Sequence, residues 1–313
     1  MSKKKQPILV VHGGAGNLKF RQRHQQGISE ALDVGFAALR QELGALEAVV
    51  RAVSLMEEKP VFNCGLGAVP SLTGTIEMDA AVMLDDGSSG AVAAIRDVAY
   101  PIQVAQKVME LTDHRLLAGD GALDFARKIG FAHRDPLTRE RTLLYKRALK
   151  KLRQKKRTKY FSKISAIMDE YLMGTVGAIA SDHRGRMAVA TSTGGILLHL
   201  PGRVGDSPII GAGTFASQSG GASITGHGEA IMKELVAYQV VKRMKRMKAP
   251  EAARYSMDQL TQHKCSCGLI CLDKRGEIGI AFNTPAMSYG YIQRDEKYVF
   301  EMQEARCTTD VEA

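Results

Sequence analysis

Residues 174–195 read GTVGAIASDHRGRMAVATSTGG, and this stretch shapes the interpretation of the whole chain. Two runs of small and β-branched residues flank the turn Asp182-x-x-Gly185, a pattern typical of a β-hairpin. The first run begins directly after Gly174, and the second ends in a row of hydroxyl side chains, Thr191 to Thr193. The segment therefore predicts an antiparallel strand pair with glycine and hydroxyl residues at its open ends.

A second hairpin of the same form is predicted at 268–281, at a constant offset of 91 residues from the first. We interpret the likeness as reuse of a good turn rather than gene duplication, because the match stops soon after the hairpins. Between them, 228–248 predicts a helix that ends at Pro250 and carries Lys and Arg in its last turns. Cations there suit the negative end of the helix dipole.

The first part of the chain predicts a similar mixture of strands and helices. A buried strand over 7–11 leads into a glycine-rich turn, and 23–58 carries helical periodicity in two pieces near Gly44. A hairpin over 78–95 precedes a helix over 101–111. Strand pairs followed by helices in both halves predict antiparallel sheets with helices stacked outside them.

The 313-residue chain has a formal net charge of +10, but that charge is concentrated in one segment. Residues 139–163 hold twelve Lys or Arg against the single acid Glu140, so the rest of the chain sums to −1. We interpret 133–174 as a basic, mobile, linker-like segment that is partly helical. Nucleic-acid binding through 139–163 is the weaker alternative, because aromatic residues for base stacking are few there.

Several other classes of protein do not fit the sequence. Five cysteines are an odd count for a disulfide framework, and the Cys265-x-Cys267 pair has no matching partner spacing for zinc. The apolar run after Lys5 is too short for a signal peptide, and no run is long enough for a membrane helix. We therefore expect a cytoplasmic protein that has no membrane partner, and we do not favour nucleic acid as a partner.

The chemistry predicted from the residues centres on Thr175. A threonine hydroxyl is a weak nucleophile, but cleavage before Thr175 would expose an α-amine whose pKa near 8 suits a general base. Arg203 and Asp206 can hold the carboxylate and the ammonium of an amino acid. Thr225 and the Gly226 amide can stabilise an oxyanion.

At this point the sequence resembles a known family, the plant-type L-asparaginases with isoaspartyl dipeptidase activity, which are N-terminal nucleophile (Ntn) hydrolases. The similarity spans nearly the whole chain outside the basic segment. The strings that carry it are HGGAG (12–16), FNCGLG (62–67), GTVGA (174–178), TSTGG (191–195), LPGRVGDSP (200–208), GAG (211–213), TG and GE (225–226 and 228–229) and FNT (282–284).

The resemblance implies an α+β fold, a four-layer αββα sandwich of two antiparallel sheets between helices. It implies autocleavage between Gly174 and Thr175, giving an α-subunit (1–174) and a β-subunit (175–313) that form one structural domain. Thr175 would be the nucleophile, Thr193 would orient it, and Thr225 with Gly226 would form the oxyanion hole. Arg203 would bind the substrate α-carboxylate and Asp206 the α-amino group.

The resemblance also implies features around the nucleophile. Asn63 would lie beside it, and the assembly would be a dimer of cleaved α/β pairs. No cofactor is required, but a structural sodium ion is implied in the loop from Met56 to Leu66. Its ligands would be backbone oxygens of Met56, Glu57, Lys59, Phe62, Cys64 and Leu66.

Two departures from the family pattern lie near the expected substrate pocket. His227 stands where a smaller residue is common, and Lys264 to Cys267 replaces a glycine-rich stretch. The leading prediction is hydrolysis of β-aspartyl dipeptides and L-asparagine to L-aspartate. A glycosylasparaginase-like amidase is the nearest alternative, and a precursor that matures poorly is another.

Overall fold

The computed structural model describes residues 5–18, 20–154 and 174–300. Its helices are α1 (Arg21–Arg40), α2 (Ala45–Glu58), α3 (Pro101–Leu111), α4 (Gly119–Lys128), α5 (Arg139–Gln154), α6 (Gly228–Glu234), α7 (Val236–Arg243) and α8 (Ala249–Gln262). Its strands are β1 (Ile8–Gly16), β2 (Met78–Leu84), β3 (Ser89–Ile95), β4 (Leu116–Ala118), β5 (Val176–Ser181), β6 (Met187–Thr193), β7 (Thr214–Ser217), β8 (Gly220–Gly226), β9 (Cys267–Asp273), β10 (Ile278–Phe282), β11 (Ala286–Gln293) and β12 (Glu296–Val299).

The strands form two sheets of different size. The larger has the order β12-β11-β1-β5-β6-β2-β3-β4, and the smaller has the order β10-β9-β8-β7. Every described pair is antiparallel except β3 with β4, so the expectation of purely antiparallel sheets is wrong at one edge. The predicted hairpins are β2–β3, β5–β6 and β9–β10, each found with its strands paired.

Alternation along the strands gives each sheet two apolar faces. In β1, Leu9 and Val11 pack with α1 and α2, whereas Val10 packs with residues of the smaller sheet. In β9, Ile270 joins that same cluster between the sheets, whereas Leu269 packs with α7 and α8. Three apolar clusters of the described residues thus border the sheets: one with the larger sheet and its helices, one with the smaller sheet and its helices, and one with residues of both sheets. A fourth cluster lies around Val69 and Ala148.

The helix predicted over 228–248 is interrupted. Leu235 has a φ of 47°, which breaks the segment into α6 and α7, and α7 ends at Arg243. Pro250 does not end this helix but lies in the first turn of α8, where its missing N–H costs no helical hydrogen bond. The predicted pieces on either side of Gly44 are α1 and α2, and the helix predicted over 101–111 is α3.

The basic segment differs most from its prediction. Over Arg139–Gln154 it forms α5, and this helix is packed against the protein instead of being held away from it. Ala148 is fully buried, and Leu144, Tyr145 and Leu149 pack beside it on Val69 and residues 197–198. The solvated-linker interpretation is therefore wrong for this helix, while 155–173 lie outside the described residues.

Within the described ranges, no helix combines the length and apolar character needed to span a membrane.

Candidate active site

Thr175 lies immediately before β5, in the middle of the larger sheet. Val176 pairs with Ser192, so Thr175 stands where the antiparallel partner strand β6 reaches Thr193. Thr175 is buried, and its backbone N–H donates a hydrogen bond of 3.1 Å to Thr225 Oγ1. The hairpin thus places Thr175 level with Thr193 in the larger sheet, and the Thr175 nitrogen contacts Thr225 of the smaller sheet.

The glycine-rich turn within β1 packs directly on the peptide before Thr175. Gly14 has a φ of 101°, and a Cβ there would lie 2.8 Å from Gly174 Cα. Only a residue without a side chain can hold this conformation at this separation. The HGGAG string is therefore explained by close approach to the Gly174–Thr175 peptide.

Asn63 connects the same peptide to the end of β6. A Cβ on Gly174 would lie 3.8 Å from the Asn63 Cβ. The Asn63 amide donates a hydrogen bond of 2.7 Å to the Gly195 carbonyl and accepts one from the Val69 N–H. The Thr193 hydroxyl accepts a hydrogen bond of 3.1 Å from the Gly195 N–H. Asn63 and Thr193 are thus fixed to one another through Gly195.

Thr225 and Gly226 form the end of β8 in the smaller sheet, and Thr225 is fully buried. Gly226 has a φ of 142°, and a Cβ there would collide with Ser266 and Cys267. The segment that departs from the family pattern therefore lies against the predicted oxyanion hole. The other departure, His227, has a partly exposed side chain 3.5 Å from Glu229 Oε2.

Arg203 and Asp206 lie in the loop between β6 and β7. A Cβ on Gly228 would lie 2.8 Å from Arg203 Nη2 and 2.9 Å from Asp206 Oδ1, so the cation and the anion border the same space. Arg203 also pairs with Glu229 at 2.9 Å, at the start of α6. The predicted carboxylate-binding side chain is thus held by a neighbouring acid.

Asp206 is the buried acid of this loop. Burial raises the pKa of its carboxyl to about 7, and the nearby Arg203 lowers it in part. Within the described chain, Asp206 Oδ2 has no hydrogen-bond partner. A buried carboxyl with a free acceptor can bind the ammonium of an amino-acid substrate.

Asp79 is a supporting residue that the sequence analysis missed. It lies opposite Thr193 in the β2–β6 ladder and accepts hydrogen bonds from the Gly205 and Ala94 N–H groups. Burial raises the pKa of its carboxyl. Asp79 therefore ties the end of β6 to the substrate-binding loop. The sequence around Asp79 did not indicate this role, because its hydrogen bond with Gly205 joins two segments that are far apart in the chain.

Glu57 is a second missed residue, since it was expected to contribute only a backbone oxygen. Its side chain is fully buried and accepts hydrogen bonds from Ser192 Oγ at 2.6 Å and from the Ile102 N–H at 3.1 Å. Burial raises the pKa of this carboxyl to about 8. It supports β6 one residue before Thr193.

A buried polar row crosses from the larger to the smaller sheet beneath Thr175. The Ser223 hydroxyl lies 2.9 Å from His12 Nε2 and 3.0 Å from Thr191 Oγ1. Burial lowers the pKa of His12 to about 3, so its ring is neutral. Gly177 lies directly over this row, where any side chain would collide with Ser223.

The loop expected to bind sodium has carbonyl oxygens with partners already in place. Those of Met56, Lys59 and Cys64 accept main-chain hydrogen bonds. The Arg141 guanidinium of α5 donates to the carbonyls of Pro60 and Phe62, at 2.9 and 3.4 Å. A fixed positive charge therefore lies against this loop.

Residues 5–301 match the family described as asparaginase. The chain belongs to this asparaginase family.

Relatives from three domains of life share nearly its full length. A protein of Pyrococcus horikoshii named plant-type L-asparaginase is 42% identical and covers 91% of this chain and 96% of its own length. One of Danio rerio named isoaspartyl peptidase/L-asparaginase is 40% identical, covering 92% and 93%. One of Salmonella typhimurium named isoaspartyl peptidase is 38% identical, covering 91% and 95%. The asparaginase resemblance stated from the motifs is thereby confirmed.

Proposed function

We propose that the chain is a self-cleaving N-terminal threonine amidohydrolase that releases L-aspartate from β-aspartyl dipeptides and L-asparagine. Membership of the asparaginase family makes it a hydrolase of this type. The observation that carries the mechanism is the 3.1 Å hydrogen bond from the Thr175 nitrogen to Thr225 Oγ1. It puts the nitrogen that becomes the base next to the predicted oxyanion hole.

The maturation step uses the Thr175 hydroxyl against its own peptide. The oxygen attacks the Gly174 carbonyl carbon, the C–N bond breaks, and the acyl group moves from nitrogen to oxygen while the hydroxyl proton passes to the Thr175 nitrogen. Water then hydrolyses the ester, which frees the Gly174 carboxylate and the Thr175 α-amine. The contact of Gly14 with Gly174 supports this proposal, because it confines the peptide that must rearrange.

In the mature enzyme, the Thr175 amine takes the proton of the Thr175 hydroxyl as the oxygen attacks the substrate β-carbonyl. Charge that develops on the carbonyl oxygen is stabilised by the Thr225 hydroxyl and the Gly226 N–H. The leaving amine receives the proton, and water attacks the acyl-enzyme ester to release L-aspartate. Thr193 holds the turn at Gly195 that borders this space.

Arg203 and Asp206 select the aspartyl group. The guanidinium binds the α-carboxylate in competition with Glu229, and the Asp206 carboxylate binds the α-ammonium. Both charges on the substrate must be present for this pairing, which distinguishes an α-amino acid from a simple amide. Asp206 is buried and the Arg203 side chain is only 15% exposed, so these charge pairs are screened less than fully exposed ones.

The proposal extends to the architecture and the assembly. The three apolar clusters support a four-layer αββα sandwich, with α- and β-subunits meeting at residues 174 and 175. We further propose a dimer of cleaved α/β pairs in the cytoplasm. Gel filtration with light scattering of the mature protein would test the assembly.

Replacement of the nucleophile tests the function directly. In Thr175→Ala, both the cleavage and the release of L-aspartate should disappear, because one hydroxyl serves both steps. Thr175→Ser, the matched control, should still cleave and hydrolyse more slowly. Cleavage of the chain is followed on denaturing gels. Release of L-aspartate is followed with a coupled assay, in parallel on a β-aspartyl dipeptide and on a glycosylated asparagine.

A wild-type preparation that released L-aspartate from neither the β-aspartyl dipeptide nor the glycosylated asparagine would overturn the proposal. Preferred release from the glycosylated asparagine would favour the glycosylasparaginase alternative. Full activity in Thr175→Ala would exclude Thr175 as the nucleophile.

A further inference from the structure

Arg141 is a buried cation in a helix otherwise covered with exposed basic residues. Its residue surface is 2% exposed, whereas Lys146, Arg147 and Lys150 on the same helix are exposed. Removing a guanidinium from water is costly unless polar groups compensate its charge. Among the residues that the structure describes, no carboxylate forms an ion pair with Arg141. The compensation must therefore come from other groups.

The compensating groups are carbonyls of the loop between α2 and β2. Arg141 Nη2 donates to the oxygens of Pro60 and Phe62, at 2.9 and 3.4 Å. Gly67 packs so tightly on these two carbonyls that any side chain there would collide with them. A set of converging carbonyl dipoles is what a cation requires when no carboxylate is present.

The same loop carries Asn63. Its side-chain amide donates to the Gly195 carbonyl, and its Cβ faces Gly174. Asn63 directly follows Phe62, whose carbonyl accepts from Arg141. A shift of the Phe62 carbonyl would therefore displace the residue that lies beside the peptide to be cleaved.

The rest of α5 fixes Arg141 against the loop. Tyr145 donates a hydrogen bond of 3.1 Å to the Leu72 carbonyl, and Ala148 packs on Val69. These side chains follow Arg141 at spacings of three to four residues and so lie on one helix face. The helix thus holds the guanidinium at a set position instead of leaving it on a flexible stem.

We propose that Arg141 is the built-in cation of this loop and acts as a positioning residue for Asn63, so that the loop needs no alkali-metal ion. This inference rests on the proposed autocleavage at Thr175. A free ion bound to the Phe62 carbonyl would stand close to the guanidinium, where like charges repel. The carbonyls of Met56, Lys59 and Cys64 are engaged by main-chain donors, which further reduces what the loop offers an ion.

The first test needs no substitution. The wild-type rates of cleavage and of L-aspartate release are measured in sodium, potassium and tetramethylammonium chloride at about 0.15 M ionic strength. We expect all three salts to give rates within about twofold of one another, because the loop already holds its cation. A loss of about tenfold or more in tetramethylammonium, restored by sodium or potassium, would overturn the proposal.

The second test removes the guanidinium. Arg141→Met should slow cleavage by about tenfold or more in tetramethylammonium, because Asn63 loses its fixed position, and recover in part when sodium fills the loop. Arg141→Lys keeps a positive charge, so its cleavage rate should lie between those of Arg141→Met and the wild type. Arg147→Met removes the same charge from the exposed face of α5 and should behave as the wild type in every salt.

A merely structural role would lower the thermal midpoint of Arg141→Met equally in all salts and leave its cleavage rate insensitive to sodium. That result would contradict the proposal. Failure of the proposed function looks different, because neither the wild type nor Arg147→Met would then cleave at Thr175 under any condition.

Discussion

At the scale of single residues, burial decides which side chains support the site. Within the described ranges, neither Glu57 nor Asp79 forms an ion pair with a basic side chain. Each is enclosed and hydrogen-bonded to the end of β6 or to the loop that β6 meets. Burial raises the pKa of both carboxyls. Glu57 accepts a hydrogen bond from Ser192, next to Thr193, and Asp79 accepts one from Gly205, next to Asp206.

Glu57→Gln should change how stability depends on pH. The pKa of Glu57 rises from 4.5 to about 8, so the neutral form favours folding. Its contribution is fully present below about pH 4.5 and is lost as the pH rises through 8. Glutamine cannot ionise, so the variant should gain up to about 1.4 kcal/mol per pH unit over the wild type between these values.

The measurement is denaturant unfolding across this pH range in a Thr175→Ala background, where cleavage does not alter the chain. Glu58→Gln, at the exposed next position, serves as the control. Parallel stability curves for Glu57→Gln and the wild type would contradict the assigned burial effect.

At the scale of elements, two segments control the site from outside it. The glycine-rich turn of β1 presses on the Gly174–Thr175 peptide, and α5 covers the loop that carries Asn63. The glycine-rich turn was recognised from its sequence motif. The structure explains the glycines by the close approach of Gly14 to Gly174. The packing of α5 was not predicted, because its many Lys and Arg residues indicated a solvated segment. The apolar residues of α5 do recur every three to four positions.

Gly14→Ala should slow cleavage by about tenfold or more, because the new methyl group displaces Gly174. Gly87→Ala is the matched control, since Gly87 has a similar φ of 92° but nothing within 4 Å of its added Cβ. Both variants bear the strain of a positive φ, and Gly14→Ala alone crowds the peptide. The intact chain remaining on a denaturing gel is followed over time. Equal rates in the two variants would exclude the steric explanation.

Ala148→Asp should destabilise the protein by about 2 kcal/mol or more, because it buries a carboxylate between α5 and Val69. Leu143→Asp makes the same change of charge at an exposed position of the same helix and should cost much less. Denaturant unfolding compares the two. If both variants lost the same stability, α5 would not be docked as described.

At the scale of the whole molecule, the sequence predicted the features that depend on short-range patterns or on recognisable motifs. The hairpins, the two helical pieces before residue 58 and the strings around Thr175 and Arg203 follow from short-range patterns. The side-chain role of Glu57, the bridge made by Asp79 and the docking of Arg141 could not be predicted, because each joins residues far apart in the chain. The pairing of β1 with β11 has the same origin.

The net charge also takes on a different meaning at this scale. The positive segment first indicated a solvated linker, but one face of α5 is packed and one of its cations is buried. The described part of the segment is therefore a structural element of the chain before the proposed cut.

The central claim is that cleavage before Thr175 creates the nucleophile, and an intact mass spectrum of the incubated protein tests it most directly. We expect two polypeptides, residues 1–174 and 175–313, the second beginning at Thr175, together with release of L-aspartate. A single 34.0 kDa chain that persists while L-aspartate is released, or a new N-terminus other than Thr175, would contradict the account.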